Sequence, residues 1–274
     1  MKRLATRLWI NVGITMVIAI AIFLAWWLSL ATLIETTFIS GWTLASLFIL
    51  LAAYNVRKLL TFLPLGSSSL WLQIHLYAGW LTLALFAVHI GFRVPNGWLE
   101  SILAVIYLAV AGTGIVGILL SRTAAPRLTR RGESVLYERI PLHYKQVREQ
   151  AEELVLQTVT QSNAPTIADF YSSTLIRFFH GPCNTLAHLV GVSRHRHRLL
   201  HELHALERYL NATERDFLAQ IVRLVEIKDD LDFQFATQRS LKCWLFVHIP
   251  LTYALLIVTT AHVLTVYTFI GSAW

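Results

Sequence analysis

Residues 70–92, LWLQIHLYAGWLTLALFAVHIGF, form an apolar run that carries two histidines, His75 and His89. The run reaches the length of about 20 residues that a helix needs to cross a bilayer. Its histidines are 14 residues apart, which on a helix places them within about 40° of one face and roughly 21 Å apart along the axis. Ionisable side chains inside a membrane span are costly and are therefore candidates for a functional site.

The same pattern returns near the C-terminus, where residues 241–270 carry His248 and His262, again 14 residues apart. If the two spans run in the same direction, His75 lies level with His248 and His89 lies level with His262. Two such pairs of facing imidazoles are the axial ligands that two b-type haems require. We therefore expect these four histidines to bind the iron atoms of two haems.

A packed, hydrogen-bonded core histidine is the usual alternative for a single histidine on an apolar face. Four histidines at equal spacing in two spans favour ligation over that alternative. A ligating histidine commonly donates its second ring N–H to a carbonyl, carboxylate or water. We expect that acceptor to be a carbonyl one turn back on the histidine's own helix.

The composition indicates an integral membrane protein. The 274 residues are 55% hydrophobic and 14% charged, compared with about 25% charged residues in ordinary soluble domains. The two cysteines, Cys183 and Cys243, belong to no C-x-x-C sequence, so covalent c-type haem, zinc ribbons and cysteine-ligated iron–sulfur clusters are not supported. The formal net charge of +7 follows from basic residues beside the spans, and we expect no nucleic-acid partner.

The apolar runs predict an all-α fold: an integral membrane helical bundle of five transmembrane spans with an inserted helical cytoplasmic domain. We place the domains at residues 1–121, 122–240 and 241–274. The expected spans are residues 8–30, 41–63, 70–92, 98–120 and 241–270.

Lysine and arginine cluster at the N-terminus and near the end of the second span, at Arg57 and Lys58, whereas the outer loops carry only Arg93. This bias predicts a multi-pass protein of the bacterial inner (cytoplasmic) membrane with its N-terminus inside. The third and fifth spans then run in the same direction. Arg93 follows His89 by four residues, so we expect it to reach the propionates of the outer haem. The candidates for the propionates of the inner haem are Arg57, Lys58 and Lys242. The positive-inside rule alone explains these three residues better.

The inserted segment carries helical signals, including apolar spacing over residues 144–159 and two candidate capping boxes, Thr166 with Asp169 and Thr213 with Asp216. Residues 226–242 contain no Gly or Pro and predict a helix continuous with the last span. We expect a docking surface without a redox centre of its own.

Four histidines lie in the basic run of residues 194–206. A zinc site is conceivable there, but a solvated or partner-binding cationic face is favoured. These histidines are His195, His197, His201 and His204.

Residues 112–117, GTGIVG, match the G-x-G-x-x-G dinucleotide fingerprint. That motif needs a preceding strand and a following soluble helix, whereas this copy lies inside an apolar span. A stripe of small residues that lets another helix or a haem approach is favoured. Gly79, one turn after His75, is likewise expected to leave room for a porphyrin or a close helix.

The residues from His75 to Gly79 (HLYAG) with His89, and His248 with His262, resemble those of the di-haem transmembrane cytochromes b. These families are the haem-binding core of respiratory cytochrome b and the transmembrane domain of ferric reductases and NADPH oxidases. The resemblance implies a helical bundle that holds two bis-histidine haems and relays electrons across the membrane. The inserted segment belongs to neither family pattern.

We expect transmembrane electron transfer through two haem b groups, with the chain as the cytochrome b subunit of a redox complex. The donor would be the quinone pool or the cytoplasmic side, and the acceptor would lie at the outer face. Other redox subunits are then partners in a hetero-oligomeric complex, and quinone is a candidate further ligand. Two alternatives stay open: a self-contained quinol-dependent reductase of oxygen species or ferric iron, and a haem-free membrane scaffold with a cytoplasmic docking domain.

Overall fold

The computed structural model describes residues 2–32, 36–59, 66–130, 135–162, 165–192 and 194–271. Helices fill these ranges, which contain no β-strand, so the all-α expectation is confirmed. The chain divides into two compact units. Unit 1 comprises Met1–Val116 with Phe246–Trp274, and unit 2 comprises Gly117–Leu245.

Five helices within the described residues are long and apolar enough to cross a membrane: α1, α2, α3, α4 and α10. The predicted continuity of residues 226–242 with the last span is confirmed, because α10 is a single helix. The α-helices are α1 Lys2–Thr32, α2 Thr36–Leu59, α3 Ser68–His89, α4 Trp98–Arg130, α5 Ile140–Ser162, α6 Pro165–Phe170, α7 Ile176–Phe179, α8 Thr185–Val190, α9 Arg194–Leu206 and α10 Ala212–Gly271.

Helix α3 begins and ends at identifiable signals. The side chain of Ser67 accepts a hydrogen bond from the Leu70 backbone N–H at 3.3 Å, which satisfies one of the N–H groups that a helix start leaves unpaired. Past His89 the chain turns through Gly91, with φ of +59°, and Phe92, with φ of +55°. The ring of Phe92 lies 5.2 Å from the ring of Trp26, so this turn packs against α1.

Unit 1 packs α2, α3, α4 and α10 around one apolar core. Contacts define the helix directions: α2 is antiparallel to α10, because Trp42 bonds to Tyr267 and Asn55 bonds to Tyr253. Large apolar side chains also cover the outside of this unit; Ile257, for example, is 70% exposed. The buried core residues are Leu44, Phe48, Leu85, Tyr107 and Leu255.

Unit 2 has its own core, formed by apolar faces of α5, α9 and α10 and by the segment between α5 and α8. Helix α10 starts with a capping box in which Asn211 N–H donates to Glu214 at 3.0 Å and Glu214 N–H donates to the Asn211 side chain at 2.9 Å. The expected box of Thr213 and Asp216 is therefore wrong. Asparagine caps helices as well as threonine, and Asn211 lies two residues earlier.

The ends of unit 2 meet. An added Cβ at Gly117 would lie 2.1 Å from Trp244 Cζ2, so the indole packs directly on the glycine backbone. No larger residue fits at position 117 without moving this ring. Further along α4, Arg127 donates to the Leu189 carbonyl at 3.0 Å, which ties the helix to the end of α8.

Candidate functional site

The first histidine pair is His75 on α3 and His248 on α10, and both side chains are half-buried. Their ring centres are 6.4 Å apart and the ring planes are inclined by 77°. Two imidazoles that bind one metal ion from opposite sides, each at about 2 Å, have ring centres roughly 6 Å apart. The spacing in unit 1 therefore suits a shared ion.

The second pair, His89 on α3 and His262 on α10, lines a cavity of about 460 Å³. Most of the remaining lining is apolar and comes from α2, α4 and α10. Because His75 meets His248 while His89 and His262 share this cavity, α3 and α10 run in the same direction. The structure thus brings together the four histidines in the two level pairs that equal spacing on parallel helices predicts.

The Nδ1 atoms of three histidines bond to neighbouring helices. His75 Nδ1 lies 3.2 Å from the Leu51 carbonyl on α2, and His248 Nδ1 lies 2.8 Å from the Thr113 hydroxyl on α4. His89 Nδ1 lies 3.1 Å from the Ser40 hydroxyl on α2. The expected acceptor one turn back on the same helix is therefore wrong for these three. Their rings point across the bundle, where adjacent helices offer acceptors.

Carbonyl partners determine the tautomers of two rings. A carbonyl only accepts, so His75 must donate from Nδ1 to Leu51. His89 Nδ1 also lies 3.2 Å from the Thr37 carbonyl, so it donates in the same way. The Thr113 hydroxyl can donate either to the Val110 carbonyl at 2.9 Å or to His248 Nδ1 at 2.8 Å, so this contact is compatible with both tautomers of His248.

A neutral imidazole with its proton on Nδ1 carries its lone pair on Nε2. Two of the four rings, His75 and His89, are therefore held in the tautomer in which Nε2 can bind a metal ion, and the bonded Nδ1–H group fixes the ring orientation. Neutral acceptors suffice for this arrangement, since no carboxylate bonds to these rings in the described part of the chain.

Two glycines lie against the rings, and only at Gly41 is the contact too close for a side chain. A Cβ at Gly41 would lie 2.9 Å from His89 Cε1, and one at Gly114 would lie 3.8 Å from His248 Cε1. Gly41, Ser40 and Thr113 were missed by reasoning from sequence. In the sequence, only the GTGIVG run drew attention to any of them, because it contains Thr113. In the structure the Thr113 hydroxyl lies beside His248.

Gly79 has no atom within 4 Å of where its Cβ would be. The space beside it is therefore open within unit 1, and the expectation that it makes room for a porphyrin stays a prediction. The alternative, close packing of another helix, finds no contact within 4 Å of this position among the described residues.

One arginine lies beside the second pair. Arg93 lies at the cavity with Glu100, and its side chain is exposed. The other cationic candidates bond elsewhere: Arg57 donates to Ser68 at 2.6 Å, and Lys242 donates to Glu138 at 2.5 Å. The side chain of Lys58 lies outside the described part of the structure, and the contact of Arg93 with a propionate stays a prediction.

One buried polar atom beside the second pair, the Thr259 hydroxyl oxygen, has no hydrogen-bond partner among the described residues. Thr259 lines the cavity one turn before His262. A buried hydroxyl without a partner costs about 1–3 kcal/mol. The cavity therefore suits an occupant that carries an acceptor or donor as well as an apolar body.

The histidines of the α9 run behave differently. His197, His201 and His204 are exposed, and no group of three or more His, Cys, Asp or Glu suited to a metal ion occurs among the described residues. This result holds for both units, so it does not distinguish the α9 histidines from the pairs in unit 1.

Unit 2 instead contains a buried ion pair. Lys228 Nζ lies 2.6 Å from Asp232, and both side chains are 1% exposed. The Tyr144 hydroxyl donates to the same carboxylate at 2.8 Å, and Lys228 also donates to the Gly181 carbonyl at 2.7 Å. Burial raises the pKa of Asp232 to about 6, against the opposing effect of Lys228. The pair and its hydrogen bonds thus join α10 to α5 and to the loop before α8 inside unit 2.

Comparisons of this chain with protein-family models, with curated proteins and with solved structures found no match.

Proposed function

We propose that this protein spans a membrane and transfers electrons across it through two b-type haems, each held by one histidine pair. The observation that carries the proposal is the pairing in unit 1. His75 and His248 face each other at 6.4 Å, and His89 and His262 share one cavity. Because the pairs occupy separate levels of the same two helices, they provide two binding positions along the bundle.

The membrane part of the proposal rests on five long apolar helices and on the exposed apolar surface of unit 1. Such a surface is unusual for a soluble monomer and suits contact with lipid. The distribution of lysine and arginine then orients the N-terminus and unit 2 toward the cytoplasm. We propose the bacterial inner membrane as the location.

The side chains at the cavity fit a haem. Its volume of about 460 Å³ lies within the range of roughly 300–1,000 Å³ that small-molecule sites occupy. Its lining is mainly apolar, with His89 and His262 as ligands, Arg93 for a propionate and Thr259 for a polar edge. A bound haem would supply one-electron redox chemistry. The chain's own residues orient the imidazoles, hold the Nδ1 protons and exclude water.

The proposal implies partners. Electrons must come from another redox subunit or from quinol on the cytoplasmic side, and they must leave to an acceptor at the outer face. We therefore propose that the protein is the cytochrome b subunit of a hetero-oligomeric complex in the lipid bilayer, with quinone as a candidate ligand. It supplies ligands and orientation while the cofactors carry out the redox step.

The first test is a reduced-minus-oxidised absorption spectrum of the purified protein with haem quantification. We expect the bands of low-spin bis-histidine haem and two haems per chain. Purified, folded protein that takes up no haem would overturn the proposal and favour the haem-free scaffold. If haem is found, mixing with a quinol analogue and candidate acceptors then separates a relay subunit from a self-contained reductase.

A further inference from the structure

Helix α10 carries several threonines around the second histidine pair, and one of them differs from the rest. Four of these hydroxyls donate to the backbone carbonyl one turn back on the same helix, which is a common way for a threonine inside a helix to pair its proton. The buried Thr259 hydroxyl has no such bond and no other hydrogen-bond partner among the described residues. The four bonded threonines, at 2.8–2.9 Å, are Thr252, Thr260, Thr265 and Thr268.

His262 is the member of the two pairs whose ring forms no hydrogen bond within the described part of the chain. The other three rings lie with Nδ1 next to a carbonyl or a hydroxyl of a neighbouring helix. A histidine that binds a metal ion through one ring nitrogen almost always donates the N–H of the other to an acceptor. Because the proposed function makes His262 a ligand, its Nδ1–H needs an acceptor too.

These two groups are neighbours on one side of α10. Thr259 precedes His262 by three residues, which places them about 4.5 Å apart along the axis and about 60° apart around it. Side chains on a helix lean toward its N-terminus, so the imidazole of His262 leans over the turn that carries Thr259. Both residues line the same cavity of unit 1, so they face the same occupant.

A threonine hydroxyl has the chemistry that this N–H requires. It can accept a hydrogen bond from one group and donate its own proton to another, so Thr259 can accept from His262 and still donate to a polar edge of the occupant. The first pair already contains such a contact, since the Thr113 hydroxyl lies 2.8 Å from His248 Nδ1. A hydroxyl also orients the ring without burying a charge.

We propose that Thr259 is the positioning residue for His262: its hydroxyl accepts a hydrogen bond from His262 Nδ1–H when Nε2 of this ring binds the iron of the second haem. The inference rests on the proposed function, because it needs a haem at His262. Rotation of the two side chains within the cavity forms the bond. Each of the four histidines then has a partner for Nδ1.

The test compares two substitutions of the same threonine in the full-length protein. Thr259→Val removes the acceptor but keeps the branched shape, whereas Thr259→Ser keeps the hydroxyl. The matched control is Thr260→Val, at the next residue, whose exposed hydroxyl bonds to the Leu256 carbonyl. Haem content and midpoint potentials are measured by absorption during a redox titration in detergent. The double variant His75→Ala with His248→Ala assigns the titration step of the second haem.

A hydrogen bond from Nδ1–H makes the imidazole a more basic ligand, which favours ferric over ferrous haem. Thr259→Val should therefore raise the midpoint potential of the second haem. We expect its ratio of reduced to oxidised form at a fixed potential to rise at least about threefold; tenfold corresponds to about 59 mV for one electron. Thr259→Ser should restore the wild-type value, and Thr260→Val should leave it unchanged.

Three results would overturn the assignment while leaving haem binding intact: an unchanged potential in Thr259→Val, an equal shift in Thr260→Val, or a shift that Thr259→Ser does not reverse, which would assign the effect to packing. Loss of the second haem in Thr259→Val but not in Thr259→Ser supports the positioning role. Folded wild-type protein that takes up no haem would overturn both this assignment and the proposed function.

Discussion

The two units surround the histidines of their interiors with opposite kinds of partner: half-buried histidines in unit 1 bond to neutral groups, whereas a buried histidine in unit 2 lies beside charged ones. In unit 1, His75, His89 and His248 bond through Nδ1 to a carbonyl or a hydroxyl. In unit 2, the buried His188 lies with Nε2 3.6 Å from the Asp229 carboxylate, and the same carboxylate lies 3.6 Å from Arg196. The first arrangement holds neutral rings, and the second belongs to a network of charges.

The difference reflects what each surrounding can stabilise. Burying an unpaired charge in an apolar bundle costs much free energy. A neutral acceptor orients an imidazole there without burying a charge. Unit 2, by contrast, has an ion pair in its interior, formed by Lys228 and Asp232. A histidine's chemical role therefore follows from its acceptors, which sequence spacing alone does not reveal.

The largest effect is expected from removing a histidine pair of unit 1, which should remove one of the two proposed haems. Replacing both His75 and His248 by alanine should lower haem content from two to about one per chain, because one level loses both axial ligands. Replacing His75 and His262 instead should disturb both haems, since each level then loses one ligand. Haem quantification and the absorption spectrum of each variant measure this.

The matched control replaces His197 and His201, exposed histidines of α9, by alanine and should keep two haems. If His75→Ala with His262→Ala left one haem with an unchanged bis-histidine spectrum, the pairing would be diagonal. Helices α3 and α10 would then not carry their ligands at equal levels.

The next effect concerns the charges inside unit 2. Lys228→Met should lower the free energy of unfolding of this unit by about 3–5 kcal/mol, because the Asp232 carboxylate is left buried without its cation. Hydrogen exchange of the α5 amides in increasing urea measures the change. Lys145→Met is the control; its exposed pair with Glu149 should contribute less than about 1 kcal/mol.

A double variant, Lys228→Met with Asp232→Leu, should recover most of the loss, since no charge is then buried. Equal destabilisation in the single and double variants would show that the packing of the lysine stem, and not the ion pair, accounts for the effect.

A smaller effect is expected in unit 1 from adding one methyl group. Gly41→Ala places a Cβ 2.9 Å from His89 Cε1, so the ring must shift, at a cost of about 1–3 kcal/mol. The haem held by His89 and His262 should weaken or change its spectrum while the other is preserved. Gly13→Ala, with nothing within 4 Å of the added atom, is the control; an identical response of both variants would contradict a specific contact.

The smallest effect is a pH dependence in unit 2. The pKa of Asp232 is raised from 3.8 to about 6 by burial, so the folded state holds this proton over a range in which the unfolded chain has lost it. Its stabilising contribution is full below about pH 4 and is lost as the pH rises through about 6. Asp232→Asn should therefore reduce the decline in stability between pH 4.5 and 6.5, relative to the exposed control Asp216→Asn.

Hydrogen exchange at the two pH values, compared between wild type and each variant, provides the measurement. An equal slope in wild type and Asp232→Asn would assign the pH dependence to other groups.

Much of the fold could be predicted from sequence, because long apolar runs determine helix number and type. The third run was expected at residues 70–92 and forms helix Ser68–His89. The fourth was expected to end at residue 120, but α4 continues to Arg130. Apolarity predicts where a span ends, whereas a helical backbone continues through polar residues until capping or packing ends it.

The pairing of the four histidines could also be predicted, because their equal spacing of 14 residues is visible in the sequence itself. Their supporting groups could not. Leu51, Ser40 and Thr113 lie on other helices, and their contact with the rings depends on how the helices pack. The need for glycine at position 41 is likewise a property of three dimensions, since nothing in the local sequence distinguishes it from Gly13.

The contact between Gly117 and Trp244 brings the two ends of unit 2 together, which is the arrangement expected of a domain inserted into another chain. These residues lie 127 positions apart in sequence, yet the ring rests on the glycine backbone, so the polypeptide enters and leaves unit 2 at neighbouring points. Domains whose ends lie close together can be inserted into a host chain with little disturbance to it. The helical unit thus has the geometry of a removable module, and a short loop in its place would reconnect the same two helices.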